Sequence, residues 1–259
     1  MRILFVADLH YSLKQFDWLM SQADTHDIVV IGGDLLDVAS VLEPQVQSIV
    51  VEKYLAKIAS RRPLIVSSGN HDGDRRSVAD ESVAGWLQEI RRDQLHVDGD
   101  SVVLGDTLFT VCAWWDGPVS RAEVEAQLER DAARRLRRWV WVHHSPPDQS
   151  PVSWAGRRFG GDEFLGPWIE KFRPDFVLSG HIHNAPFLDR GSWLDRVGTA
   201  WVFNPGRQIG AVPTFISLDL DAMSAEWTSF QGPETRNLAT PVPDAAADVT
   251  VAPIAGGGA

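Results

Sequence analysis

Cysteine is nearly missing from this chain: Cys112 is the only one among 259 residues. No intrachain disulfide is possible, and the scarcity of thiolates argues against a closed structural zinc site. Cys112 lies in the apolar run LFTVCAWW and reads as a buried core thiol. Long apolar runs are missing too. Nothing approaches the roughly 20 residues that a membrane-spanning helix needs, and Met1 and Arg2 lead into a strand-like run with no leader pattern. The expectation is a cytoplasmic protein with no membrane partner. Positive charge is in deficit, with 24 Lys and Arg against 35 Asp and Glu and a net charge of -11. Nonspecific nucleic-acid binding depends on phosphate neutralisation by Lys and Arg, so nucleic acid is not favoured as a partner. A nucleotide substrate stays open, because bound cations can supply local positive charge. Internal repeats are absent. No linker breaks the chain before residue 232, so one domain is expected over 1–231. From 232 the composition turns to Ala, Pro and Gly with few aromatics, and a flexible tail is expected over 232–259.

What the chain does have is histidine in a regular place. Six of its eight histidines follow apolar, strand-like runs and sit beside Asp, Asn or a second His. ILFVADLH ends in Asp8 and His10, and IVVIGGDLLD delivers Asp34 and Asp37. LIVSSGNHD delivers Asn70, His71 and Asp72, WVWVHHSPP delivers His143 and His144, and FVLSGHIH delivers His181 and His183. In an open sheet the loops at the carboxyl ends of strands converge on one crevice. Five such strand ends point to one polynuclear metal site.

Hydrophobic periodicity and turn signals predict helices over 13–23, 44–60, 80–91, 121–137 and 163–172, with strands between them. Ser40 with Glu43, and Ser120 with Glu123, have capping-box spacing. The last part reads as β, over 199–203, 214–220 and 224–230. The fold class expected is α/β (α+β in some schemes), a four-layer sandwich of two mixed β-sheets flanked by helices. Asp8 and His10 are two apart in a segment read as extended, which points both side chains the same way, and His181 and His183 repeat the pattern. Asp34 has two oxygens and can bridge two cations. Imidazole and carboxylate together suit Mn, Fe or Zn better than Mg or Ca.

DLH at Asp8, GDLLD at Gly33, GNHD at Gly69, the HH at His143 and GHIH at Gly180 together resemble the calcineurin-like metallophosphoesterase family. NPGR at Asn204 is similar to a loop of some members. Each motif alone is weak, but five in family order after apolar runs are a strong joint signal. The resemblance implies two metal ions, one held by Asp8, His10, Asp34 and His183, the other by Asp34, Asn70, His143 and His181. Adjacent residues of an extended segment face opposite ways, so one of His143 and His144 is a ligand. The family pattern favours His143, leaving His144 to line the site or bond to backbone. His71 would assist the leaving group as general acid, with metal-bridging hydroxide as nucleophile. Asp72 would orient His71 through a hydrogen bond, and Asp37 would fix a ligand or its loop. Trp115, beside Trp114, could wall the mouth, and Arg207 could reach a substrate phosphate. The expected activity is hydrolysis of a phosphoester, a phosphodiester in preference to a monoester, on a small molecule or nucleotide. The alternatives are a DNA or RNA nuclease of the same family and a non-enzymatic scaffold with the same fold. A homo-oligomer is compatible with the resemblance.

Overall fold

Alternate residues of the first strand, β1 (Arg2–Val6), part company: Ile3 and Phe5 join one buried cluster, Leu4 and Val6 another. A strand whose two faces are both apolar must be covered on both sides, and this sets the layering. The structure, a computed structural model, describes residues 1–239. After β1 come α1 (Leu13–Gln22), β2 (Ile28–Gly32), α2 (Pro44–Ala59), β3 (Leu64–Ser67), the short pair β4 (Arg75–Arg76) and β5 (Ser82–Val83), α3 (Gly85–Glu89) and β6 (Leu95–His96). Then follow β7 (Ser101–Leu104), β8 (Thr107–Val111), α4 (Pro118–Ala132), β9 (Arg138–Val142), α5 (Leu165–Phe172) and β10 (Phe176–Leu178). The described chain ends with β11 (Leu194–Val197), β12 (Ala200–Phe203), β13 (Phe215–Asp219), β14 (Ser224–Ser229) and β15 (Gly232–Asn237).

One sheet has the order β15-β14-β13-β1-β2-β3-β6 and the other β11-β12-β10-β9-β8-β7. Each is mixed. β1, β2, β3 and β6 run parallel in the first, and β8, β9, β10 and β12 in the second, with antiparallel strands outside them. Between the sheets lies a core that includes Ile3, Phe5, Phe109, Val140, Val142, Phe176 and Phe203. Phe16, Leu19, Val51, Leu55 and Leu87 of α1, α2 and α3 cover the outer face of the first sheet. Val124 and Leu128 of α4, with Leu165 and Ile169 of α5, cover Trp139 and Trp141 on the second. The four-layer sandwich of two mixed sheets is the observed fold. Among the described residues no helix is long and apolar enough to cross a membrane.

Several local expectations are corrected. The helix expected over 80–91 shrinks to Gly85–Glu89, because Ser82 and Val83 pair with Arg76 and Arg75 instead. The Asp74 carboxylate accepts the Gly85 and Trp86 amides (2.6 and 3.2 Å) and sets the start of that short helix. Neither capping box forms. Glu43 itself precedes α2, and Ser120 lies inside α4, which begins at Pro118. The start of α4 is capped from a distance: the Glu81 carboxylate accepts the Val119 and Ser120 amides at 2.8 and 2.7 Å. The domain boundary at 231 also moves. Gly232–Asn237 pairs with β14 from Ser229↔Gly232 to Ser224↔Asn237, and Leu238 is buried in the intersheet core. The Trp201 indole N–H donates to the Leu238 carbonyl at 3.1 Å. The segment carries the polar residues Glu234, Thr235 and Arg236, so no hydrophobic alternation announced it. The rest of the expected tail, 240–259, lies outside the described residues.

Candidate metal centre

The carboxyl ends of β1, β2 and β3 in one sheet meet those of β9 and β10 in the other. The loops after β1 and β2 are joined by backbone: the Asp8, His10 and Tyr11 amides donate to the carbonyls of Gly33, Asp34 and Leu35 at 3.1, 2.9 and 2.8 Å. Asp8, His10, Asp34 and His181 all have left-handed backbone, with φ of 56°, 40°, 52° and 68°. Their convergence therefore comes from turned backbone beyond the strand ends, not from the pleat alternation read in the sequence. Such conformations cost of order 1–3 kcal/mol each and persist where the surroundings enforce them. Two motif glycines serve the same crowding. A Cβ on Gly33 (φ 91°) would collide with the His144 ring, and one on Gly69 with Asp34 Oδ1 and the Asp34 backbone.

Three groups of side chains result, and Asp34 belongs to two of them. Asp8, His10, Asp34 and His183 form the first, and Asp34, His144 and His181 the second. In the first, His10 Nε2 is 3.0 Å from His183 Nε2 and 3.5 Å from Asp34 Oδ2, while His183 Nε2 is 3.3 Å from Asp8 Oδ1. In the second, His144 Nε2 is 3.2 Å from Asp34 Oδ2. Asp8, Asp34 and His144 are almost wholly buried.

The charges show what the site would attract. Burial disfavours the His144 cation, but the Asp34 and Asp8 carboxylates outweigh it and hold the imidazole up at about 9. His144 Nδ1 donates to the Gly32 carbonyl at 2.6 Å, which directs Nε2 at the carboxylates. These carboxylates require positive charge at that point, supplied by a proton or by a cation. Burial pushes His10 and His181 down to about 4 and keeps both imidazoles neutral, the form that ligates metals. Burial opposes the Asp34 carboxylate as well, yet His144 and the His71 amide hold its carboxyl below the usual range. Imidazoles around a shared carboxylate are a metal-ligating donor set, and the residues present fit a divalent metal centre.

Between His143 and His144, it is His144 that lies in the carboxylate cluster. His143 is 1% exposed and stacks on Trp115 with ring centroids 4.0 Å apart. Burial, then His144, pushes it down to about 3, and neither group above includes it. Alternation explains the outcome. Val140 and Val142 face the intersheet core, so His144 continues their face, while His143 continues that of Trp139 and Trp141. The expectation for Asp72 is corrected. Its carboxylate is fully buried and accepts the Leu35, Leu36 and Gly69 amides at 2.9, 2.9 and 2.8 Å, with no bond to His71. Burial, then Asp34, pushes its carboxyl up to about 8, and it clamps the β2 and β3 loops together.

His71 is oriented by a group that the sequence did not reveal. The Val38 amide donates to His71 Nδ1 at 3.3 Å, and His71 Nε2 lies 3.9 Å from Asp34 Oδ2. Asp37 stands with His10 and His71 in a third group, and its own Oδ1 accepts the Ala39 amide at 2.9 Å. Asn70 is exposed at the mouth, between Gly69 and His71, whose amide donates to Asp34 Oδ1 at 2.9 Å. Asn204 is fully buried, so it is not placed to touch substrate. It donates to the carbonyls of Val152 and Ile182 (2.9 and 3.0 Å), and the latter lies between His181 and His183. The Arg207 amide donates to the His183 carbonyl at 3.0 Å, and the Arg207 charge is felt at His10. Arg207 forms no ion pair with any described residue. Trp115 is half-buried behind His143, its indole N–H donating to Asp162 at 2.9 Å, so it is Trp114 that faces His144 and His181.

Carboxylates and imidazoles gathered from two sheets around one shared aspartate define the site of a metal-dependent hydrolase. The chain belongs to the calcineurin-like phosphoesterase family, whose model matches residues 1–185. It is accordingly a metal-dependent phosphoric ester hydrolase. Among solved structures it is similar to TT1561 of Thermus thermophilus, with a TM-score of 0.59 and 15% identity over 92% of this chain and 98% of that one. It is also similar to the purple acid phosphatase PPD1 of yellow lupin, Lupinus luteus, with a TM-score of 0.56, 15% identity and coverage of 92% and 52%. A 5'-nucleotidase precursor, also from Thermus thermophilus, gives a TM-score of 0.53, 12% identity and coverage of 85% and 51%. These likenesses are of fold. No curated protein sequence matches the chain.

Proposed function

We propose that the chain hydrolyses phosphodiesters at a centre of two metal ions, with Asp34 in reach of both candidate ligand groups. Asp8, His10, Asp34 and His183 would hold one ion, and Asp34, His144, His181 and Asn70 the other. Bound there, the ions would polarise the phosphoryl group and lower the pKa of an attacking water. The observation that carries the reading is the placement of His71. Val38 N–H donates to Nδ1, so Nε2 is the ring nitrogen presented to the site, 3.9 Å from Asp34 Oδ2. His71 is half-buried, and its Nε2–H can hydrogen-bond to the oxygen of a departing alcohol and stabilise the charge that develops there. The diester preference rests on the resemblance of GNHD, with its His71 intact, to phosphodiesterases of the family.

Two diesters test the role of His71, one releasing 4-nitrophenol and the other an alkyl alcohol. Metal-stripped protein is assayed with Mn, Zn or Fe restored, with 4-nitrophenyl phosphate as the monoester control. His71→Ala is expected to lower kcat for the alkyl leaving group by about 10²–10³-fold, and to affect 4-nitrophenol release much less. Equal losses on both diesters would remove His71 as the group that stabilises the leaving oxygen. Faster turnover of the monoester would overturn the diester preference.

A further inference from the structure

Beside the metal centre lies a cavity of about 250 Å³, lined among others by Ser68, Gly69, Asn70, Arg76, Trp114 and Asp116. Gly69 packs on Asp34, and the Trp114 ring centroid is 5.7 Å from that of His144 and 5.3 Å from that of His181. The cavity therefore begins where the proposed reacting phosphate would sit. Its volume falls just below the roughly 300–1,000 Å³ of sites for drug-sized ligands, so it suits one end of a diester. We infer that this cavity seats one ester group of the substrate, and that this group is a nucleoside. The inference rests on the phosphodiester reading.

The walls support that class. Asp116 Oδ2 accepts from Arg76 Nη1 at 3.2 Å and from the Ser82 amide at 2.8 Å, which leaves Oδ1 as an acceptor. Arg76 Nη1 is also committed to the Asp80 carbonyl at 2.9 Å, so Nη2 and Nε remain as donors. A donor beside an acceptor complements the polar edge of a base. The half-buried Trp114 offers an indole on which a base can stack. An acyl chain in the same place would desolvate Arg76 and Asp116 without giving them partners. The Trp114 wall is fixed before any ligand arrives: its amide donates to Ser68 Oγ at 3.0 Å, and the Ser68 amide donates to the buried Asp98 at 2.8 Å.

The test compares thymidine 5'-(4-nitrophenyl phosphate) with bis(4-nitrophenyl) phosphate, which share a leaving group and differ in the other ester. The readout is the ratio of the two kcat/KM values in the wild type, Arg76→Gln and Asp116→Asn. A second readout is the binding of thymidine alone, by saturation-transfer NMR. The wild type is expected to favour the thymidine ester at least about tenfold, the scale of one well-made polar contact. Each variant is expected to lose most of that preference and to weaken the thymidine signal. An unchanged ratio in both variants, with an unchanged thymidine signal, would overturn the nucleoside pocket. Thymidine binding that depends on Arg76 and Asp116 without hydrolysis of either ester would uphold the pocket and overturn the diester reading. Hydrolysis of both esters with no preference and no thymidine signal would do the reverse.

Discussion

Asp34 concentrates the chemistry at the scale of single residues. One oxygen accepts the His71 amide, and the other lies within 4 Å of the Nε2 atoms of His10, His71 and His144. The neighbouring pair His143 and His144 makes a sharp comparison. His144→Ala is expected to lose one of two bound ions, and His143→Ala to keep both, as read by metal analysis of the dialysed proteins. Loss of an ion from His143→Ala alone would reverse the assignment. The placement of His144 beside Asp34 was legible in the sequence: WVWVHH alternates Trp with Val, and continuing the Val face reaches His144. The family pattern pulled the other way. Val38, by contrast, was invisible as a partner of His71, because a backbone amide carries no side-chain signature. Asp98 allows a pH test away from the ligands. Burial pushes its carboxyl up to about 6 from 3.8. Between those values the folded chain holds a proton that the unfolded chain has released. Stability from this group therefore falls as pH rises from about 4 to 6 and is flat above that. Asp98→Asn removes the titration, so its stability relative to wild type should rise across that window by up to about 3 kcal/mol. Denaturant unfolding at pH 4, 5, 6 and 7 measures it, and a difference that does not change with pH would exclude the ionisation.

At the scale of elements, strands with apolar faces were readable and polar or borrowed features were not. β1, β2, β3, β9 and β10 announce themselves as apolar runs, and with them the five strand ends that meet at the site. The start of α4 depends on Glu81, distant in sequence, so local capping patterns misplaced it. β15 was missed because Glu234, Thr235 and Arg236 belong to an edge strand that borrows its pairing from β14. Its anchor is Leu238, 4% exposed in the intersheet core. Leu238→Ala is expected to destabilise the fold by about 2–5 kcal/mol. A shift in the denaturation midpoint worth under about 0.5 kcal/mol, the range of a surface substitution, would show that the segment does not contribute to the core.

At the scale of the whole molecule, two sheets each supply part of one centre. Asp8, His10 and Asp34 come from the loops after β1 and β2, and His144, His181 and His183 from those after β9 and β10. Neither sheet alone assembles either group that contains Asp34, so ion binding is expected to couple the two sheets. The most direct measurement is the number of Mn ions bound per chain by metal-stripped wild type and Asp34→Asn, with diester turnover assayed on the same samples. The shared carboxylate predicts two ions and turnover for the wild type, and at least one ion lost with turnover near background for Asp34→Asn. Two ions and undiminished turnover in Asp34→Asn would contradict a centre built on that residue.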